Sequence, residues 1–135
     1  MRLVIDCNIF ISAALTPAGT CRLALAEAVK NHEILLSEEI LEEYREVANR
    51  KKFVAIRDRI HVLIEEVALR ATFASAVSSG EIPGISDEDD AVYVIVAVNE
   101  GADAIVTGNT RHFTAPSYGS ALVVSAREFL DMVGG

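Results

Sequence analysis

Four short apolar runs punctuate the chain: Leu3-Val4-Ile5, Ile34-Leu35-Leu36, Ala104-Ile105-Val106 and Leu122-Val123-Val124. Each reads as a short buried strand, and helix-forming stretches lie between most of them. Parallel neighbours need a crossover, usually a helix, so the alternation points to a mostly parallel sheet. The stretch Ala91–Val98 tests this reading, being eight apolar residues without a break, four of them Val and one Ile. Propensity alone favours a strand. Context favours a helix, because Ser86 or Asp87 can cap it, acids fill its first turn and Asn99-Glu100-Gly101 can end it. The strand Ala104–Val106 also follows at once and must be reached by a crossover. A helix this apolar is expected to be buried on most sides and is compatible with a seam to a second subunit.

The remaining elements follow from periodicity. Leu3–Ile5 ends at Asp6, Ile9–Ser12 comes next, and Thr16–Thr20 reads as a loop. Cys21–Val29 has good helix formers. Ser37 caps a helix whose buried stripe is Ile40, Leu41, Tyr44, Val47 and Ala48. A further helix is expected over Val54–Val67 and a short strand near Thr72–Ala74. Ser78–Gly84 is loop, and Ser125 caps a terminal helix running through Met132. The expected architecture is a three-layer α/β/α sandwich around a mostly parallel sheet of four to five strands, with residues 1–135 forming one domain.

Composition narrows the function. An apolar content of 51% and only three Pro exclude disordered and linker classes. No apolar run approaches the roughly 18 residues of a membrane span. The opening Arg2–Asp6 has no secretory leader, so the chain reads as cytoplasmic, with Cys7 and Cys21 as free thiols. Lys+Arg number 12 against 20 Asp+Glu, a formal charge of −8, which argues against holding nucleic acid mainly by a basic surface. The charges are segregated. Between Arg70 and Arg111 there is no basic residue, while Glu81, Asp87, Glu88, Asp89, Asp90, Glu100 and Asp103 fall there. From Arg45 to Arg59, six basic residues face two acids.

Sites in open parallel sheets form at the carboxyl ends of strands. Asp6 stands there after the first strand, with Asn8 two residues on, and Asn109 stands just past Ala104–Val106. Glu43 flanks the Ile40/Val47 stripe on its helix, whereas Glu42 and Glu46 point further outward. Asp87 and Asp90, three apart at a helix start, share a face. Gathered carboxylates repel one another and raise each other's pKa. A hard divalent cation such as Mg²⁺ or Mn²⁺ compensates them and can activate a water and neutralise a phosphoryl group. Each acid also has a plainer account: Asp6 as a turn acid, Asp87 and Asp90 as cap chemistry, Glu43 as a solvated helix residue. Their joint placement is what favours a site.

Four segments carry a resemblance to a known family: Asp6-Cys7-Asn8-Ile9, Glu43-Tyr44-Arg45-Glu46-Val47, Ile85-Ser86-Asp87-Glu88-Asp89-Asp90 and Gly101 through Phe113. Together, in this order over residues 2–113, they resemble PIN-domain proteins, in particular the VapC-like ribonucleases that are toxins of toxin–antitoxin pairs. The resemblance implies an acidic pocket holding one or two Mg²⁺ or Mn²⁺ ions and cleaving RNA. It makes Asp6 the central ligand, oriented by Asn8, with Glu43 and Asp90 completing the trio and Asp87 accessory. Many relatives have a further acid where this chain offers Asn109 or His112, an amide and an imidazole. Thr107 and Gly108 fall where the family keeps a hydroxyl and a tight turn. The hydroxyl can bond Asp6 or a metal water, or serve only the turn. His112 reads better as a packed or capping residue than as a general base. Cys7 alternates to the other side of the strand and fills core, and Phe10, Tyr44, Tyr93 and Phe113 read as packing.

The expected reaction is therefore hydrolysis of an RNA phosphodiester at metal held by Asp6, Glu43 and Asp90. Arg45, Arg50, Lys51, Lys52 and Arg111 would contact the RNA backbone without reading bases. A small antitoxin and a homodimer follow from the resemblance. Two alternatives stand beside it: a structure-specific DNA nuclease, and a catalytically silent RNA-binding or interaction protein.

Overall fold

The computed structural model describes residues 1–74 and 88–134, apart from the side chains of residues 88–90 and 112. The strands are β1 (Arg2–Ile5), β2 (Glu33–Leu36), β3 (Thr72–Phe73), β4 (Ala104–Thr107), β5 (Ser117–Tyr118) and β6 (Ala121–Ser125). The helices are α1 (Cys7–Leu15), α2 (Thr20–Asn31), α3 (Glu38–Ala48), α4 (Arg57–Arg70), α5 (Glu88–Asn99) and α6 (Ala126–Val133). The strands form one sheet in the order β3-β2-β1-β4-β6-β5, with every pairing parallel except β5 on β6. Helices pack around it as a three-layer α/β/α sandwich of the expected class. The described residues give six strands where four to five were expected. The addition is β5, a two-residue partner of β6 joined to it by a turn in which Gly119 takes φ +59°. Two residues are too few for a periodic signal.

The central strands owe their position to their lack of polar alternation. All four residues of β4 are buried, as are the last three of β1 and of β2, as expected for strands covered on both faces. Ala91–Val98 lies within helix α5. Gly101, at φ +63°, lets Ala102 N–H reach the Ala97 carbonyl at 2.9 Å and Gly101 N–H reach that of Val98 at 3.3 Å. This left-handed closure satisfies the last carbonyls and turns the chain directly into β4. Ser37 Oγ accepts from Ile40 N–H at 3.1 Å, with Glu38 and Glu39 in the first turn of α3. At α6, Ser125 and Glu128 cap each other reciprocally at 3.0 and 2.9 Å.

Two expectations need correction. Cys7 does not alternate to the other side of the strand: Cys7–Leu15 is helix α1, and Cys7 is its first residue. The helix expected over Val54–Val67 begins at Arg57 and ends at Arg70, after a 3₁₀ turn at Lys51–Phe53. The expected loop Ser78–Gly84 lies outside the described residues, as do the caps Ser86 and Asp87. Among the described residues both cysteines are free, and no helix is long and apolar enough to cross a membrane.

Candidate active site at the carboxyl ends of β1 and β4

From β1 the chain works outward to β2 and β3, then returns through α5 to β4 on the other side of β1. The strand order therefore reverses between β1 and β4, where a parallel sheet opens a crevice at its carboxyl edge. Asp6 and Thr107 meet across it. Asp6 N–H donates to the Val106 carbonyl at 2.9 Å, carrying the β1–β4 ladder one residue beyond the strand. Thr107 Oγ1 donates to Asp6 Oδ2 at 2.7 Å, with the two residues 2% and 0% exposed.

Asp6 is also the N-cap of α1, in extended conformation, yet its side chain makes no capping hydrogen bond. An acid serving only the helix would bond an N–H of the first turn. This one is drawn across the sheet instead, while the positive end of the α1 dipole still favours its charge. The turn beyond β4 is built to match. Thr107 Oγ1 accepts from Asn109 N–H at 3.1 Å, and Asn109 Oδ1 accepts from Arg111 N–H at 3.1 Å. Asn8, from the first turn of α1, accepts from Gly108 N–H through its Oδ1 at 2.8 Å. A Cβ on Gly108 would stand 3.0 Å from that same oxygen, a tight approach that Asn8 would have to yield to by a few tenths of an ångström.

Glu43 is half-buried on α3, between exposed Glu42 and Glu46. Its charge acts on the Cys7 thiol, next to Asp6. Burial pushes that thiol well above the ordinary range, and the charges of Asp6 and, more weakly, Glu43 add to it. The structure thus brings Asp6, Asn8, Thr107 and Asn109 together, while the charge of Glu43 is felt at Cys7 beside them. Asp90 lies in the first turn of α5, but its side chain, like all of Asp87, is outside the described residues. His112 ends a 3₁₀ turn (Thr110–His112), and its side chain is likewise outside the description. Among the described residues, no three His, Cys, Asp or Glu side chains form a metal-sized group.

The basic residues divide. Arg45 pairs with Glu65 of α4 at 3.1 Å, and Arg50 pairs with Glu46 at 2.8 Å. Arg50 also feels the charge of Glu43, more weakly than that of its ion-pair partner Glu46. Lys51 and Lys52 are exposed on the 3₁₀ turn, with Lys52 Nζ 5.2 Å from the Phe53 ring centre. Arg111 is exposed beyond β4.

Phe10, Tyr44, Tyr93 and Phe113 are buried as packing residues. For the two tyrosines packing is only half the account. The Tyr44 hydroxyl donates to the Ile5 carbonyl, and the Tyr93 hydroxyl accepts from Cys7 N–H at 3.2 Å. Both peptide groups flank Asp6. The signal was present in the sequence, because a phenol on an otherwise apolar buried stripe must find a partner.

A doubly wound α/β sandwich with a buried acid at its switch point defines the class. A PIN-domain family profile matches residues 2–111, and the chain belongs to that family. Among solved structures, it is similar to VapBC2 from Rickettsia felis bound to a DNA fragment from its promoter. The TM-score is 0.59 at 16% identity, over 93% of this chain and 98% of that one, a likeness of fold. Comparison with curated protein sequences finds no match.

Proposed function

We propose that this chain is a divalent-metal-dependent endoribonuclease and the toxin of a toxin–antitoxin pair. The observation that carries the reading is the Asp6–Thr107 bridge, a buried carboxylate held across the switch point, and the charge of Glu43 felt at the neighbouring Cys7 supports it. Membership of the PIN family supports nuclease chemistry, and the likeness to VapBC2 supports an antitoxin partner.

Asp6, Glu43 and Asp90 would hold the ion, with Asp87 accessory. These donors are all oxygen, which suits Mg²⁺ or Mn²⁺. A divalent ion supplies an activated water and neutralises charge on the phosphoryl group. The chain's own residues do the rest. Thr107 fixes the Asp6 carboxylate, and the Asn8–Gly108 clasp holds the turn that carries Thr107 and Asn109. Arg50, Lys51 and Lys52, with Arg45 and Arg111, hold phosphates of the RNA backbone, a sequence-independent contact. The same reading makes the protein a homodimer, which a solution mass of one 14.5 kDa chain would contradict.

The test is cleavage of a mixed RNA pool with Mg²⁺, Mn²⁺ or a chelator, alongside Asp6→Asn. Cleavage should need the metal and vanish in the variant. Undiminished cleavage by Asp6→Asn would sink the reading.

A further inference from the structure

We propose that Tyr93 and Tyr44 are positioning residues for the acidic site, their hydroxyls fixing the peptides on either side of Asp6 and seating the helices that bear the other acids. This rests on the nuclease reading above and deepens it.

The first N–H groups of a helix have no partner within it and compete for the nearest acceptor. An N-cap side chain accepts from the second or third of them, at α1 Asn8 or Ile9 N–H, and leaves the first, Cys7 N–H, to another partner. The Tyr93 hydroxyl is that partner, at 3.2 Å, while Ile9 N–H is taken by the Asp6 backbone carbonyl at 3.1 Å. Between these fixed peptides the Asp6 carboxylate accepts from Thr107 Oγ1 across the sheet at 2.7 Å. On the other side of Asp6, the Tyr44 hydroxyl donates to the Ile5 carbonyl. Asp6 is thus pinned at both neighbouring peptides by two phenols that are each 1% exposed.

The helices they come from matter as much. Tyr44 adjoins Glu43 on α3, and Tyr93 lies one turn after Asp90 on α5. The two rings stack at 6.3 Å between centroids and 27° between planes. Each hydroxyl therefore ties a helix bearing one acid to the peptide next to another. Spacing among positions 6, 43 and 90 is set through these two bonds. Phe10 packs on Tyr44 at 4.5 Å but contributes no hydroxyl, which separates packing from tethering.

The experiment compares Mn²⁺ affinity by calorimetry in the wild type, Asp6→Asn, Tyr44→Phe, Tyr93→Phe and Phe10→Leu, with urea unfolding on each. The expected result is about a tenfold loss of affinity in each Tyr→Phe variant, the scale of losing a residue that orients a ligand. Excess Mn²⁺ should restore their RNA cleavage. Phe10→Leu should lose stability and keep wild-type affinity. Unchanged affinity in both Tyr→Phe variants, or an equal loss in Phe10→Leu, overturns the positioning role while the nuclease reading stands. Absence of Mn²⁺ binding by the wild type overturns both.

Discussion

Replacing Thr107 by Val keeps the shape of the side chain and removes one oxygen from the centre of the fold. That oxygen donates to a buried carboxylate at 2.7 Å and accepts from Asn109 N–H at 3.1 Å. A hydrogen bond to a charged group contributes about 1.5–3 kcal/mol, and Asn109 N–H, only partly buried, adds less than about 1 kcal/mol. The expected loss is therefore roughly 2–3 kcal/mol, or a fall in Tm of roughly 10 °C for a domain of this size. Urea unfolding followed by far-UV circular dichroism measures it. The informative comparison repeats the substitution in an Asp6→Asn background. There the hydroxyl bonds a neutral amide, and the same change should cost about 1 kcal/mol less. A loss below about 0.5 kcal/mol, or the same loss in both backgrounds, would mean that the hydroxyl serves only its own turn.

Gly108→Ala should destabilise by about 1 kcal/mol, because its Cβ would crowd Asn8 Oδ1 at 3.0 Å. In an Asn8→Ala background most of that penalty should disappear; full additivity in urea unfolding would refute the clasp. The two thiols should also differ. Iodoacetamide at pH 8, read by peptide mapping, should modify Cys21 before Cys7, whose thiol is raised by burial and then by Asp6, while burial alone raises Cys21. Asp6→Asn should quicken Cys7, and faster labelling of Cys7 than Cys21 in the wild type would contradict the described surroundings.

The parts of the fold legible in the sequence were those where several local signals agreed. Ala91–Val98 has strand propensity, but Gly101 and the strand close behind it leave only a helix able to make the crossover. Helix α1 gave no such agreement. Its run Ile9-Phe10-Ile11 is β-branched and aromatic, its first turn has no acid, and its N-cap residue turns its side chain elsewhere. The feature that makes Asp6 useful is the one that hid the helix after it. In the site, Asp6 and Thr107 were legible from their places at strand ends, whereas their mutual bond was one of several open readings. For Tyr44 and Tyr93 the need for a partner was legible but its identity was not, because periodicity reports which face is buried and says nothing of where a hydroxyl ends up.

The bridge between Asp6 and Thr107 joins residues 101 positions apart. On the ribosome, a chain that has released everything up to α5 still has half of this pocket missing. The acid of β1 must wait through most of synthesis for its partner, and no fragment lacking β4 contains the assembled site. For a chain whose proposed substrate surrounds it at birth, late completion is a built-in delay that follows from strand order alone.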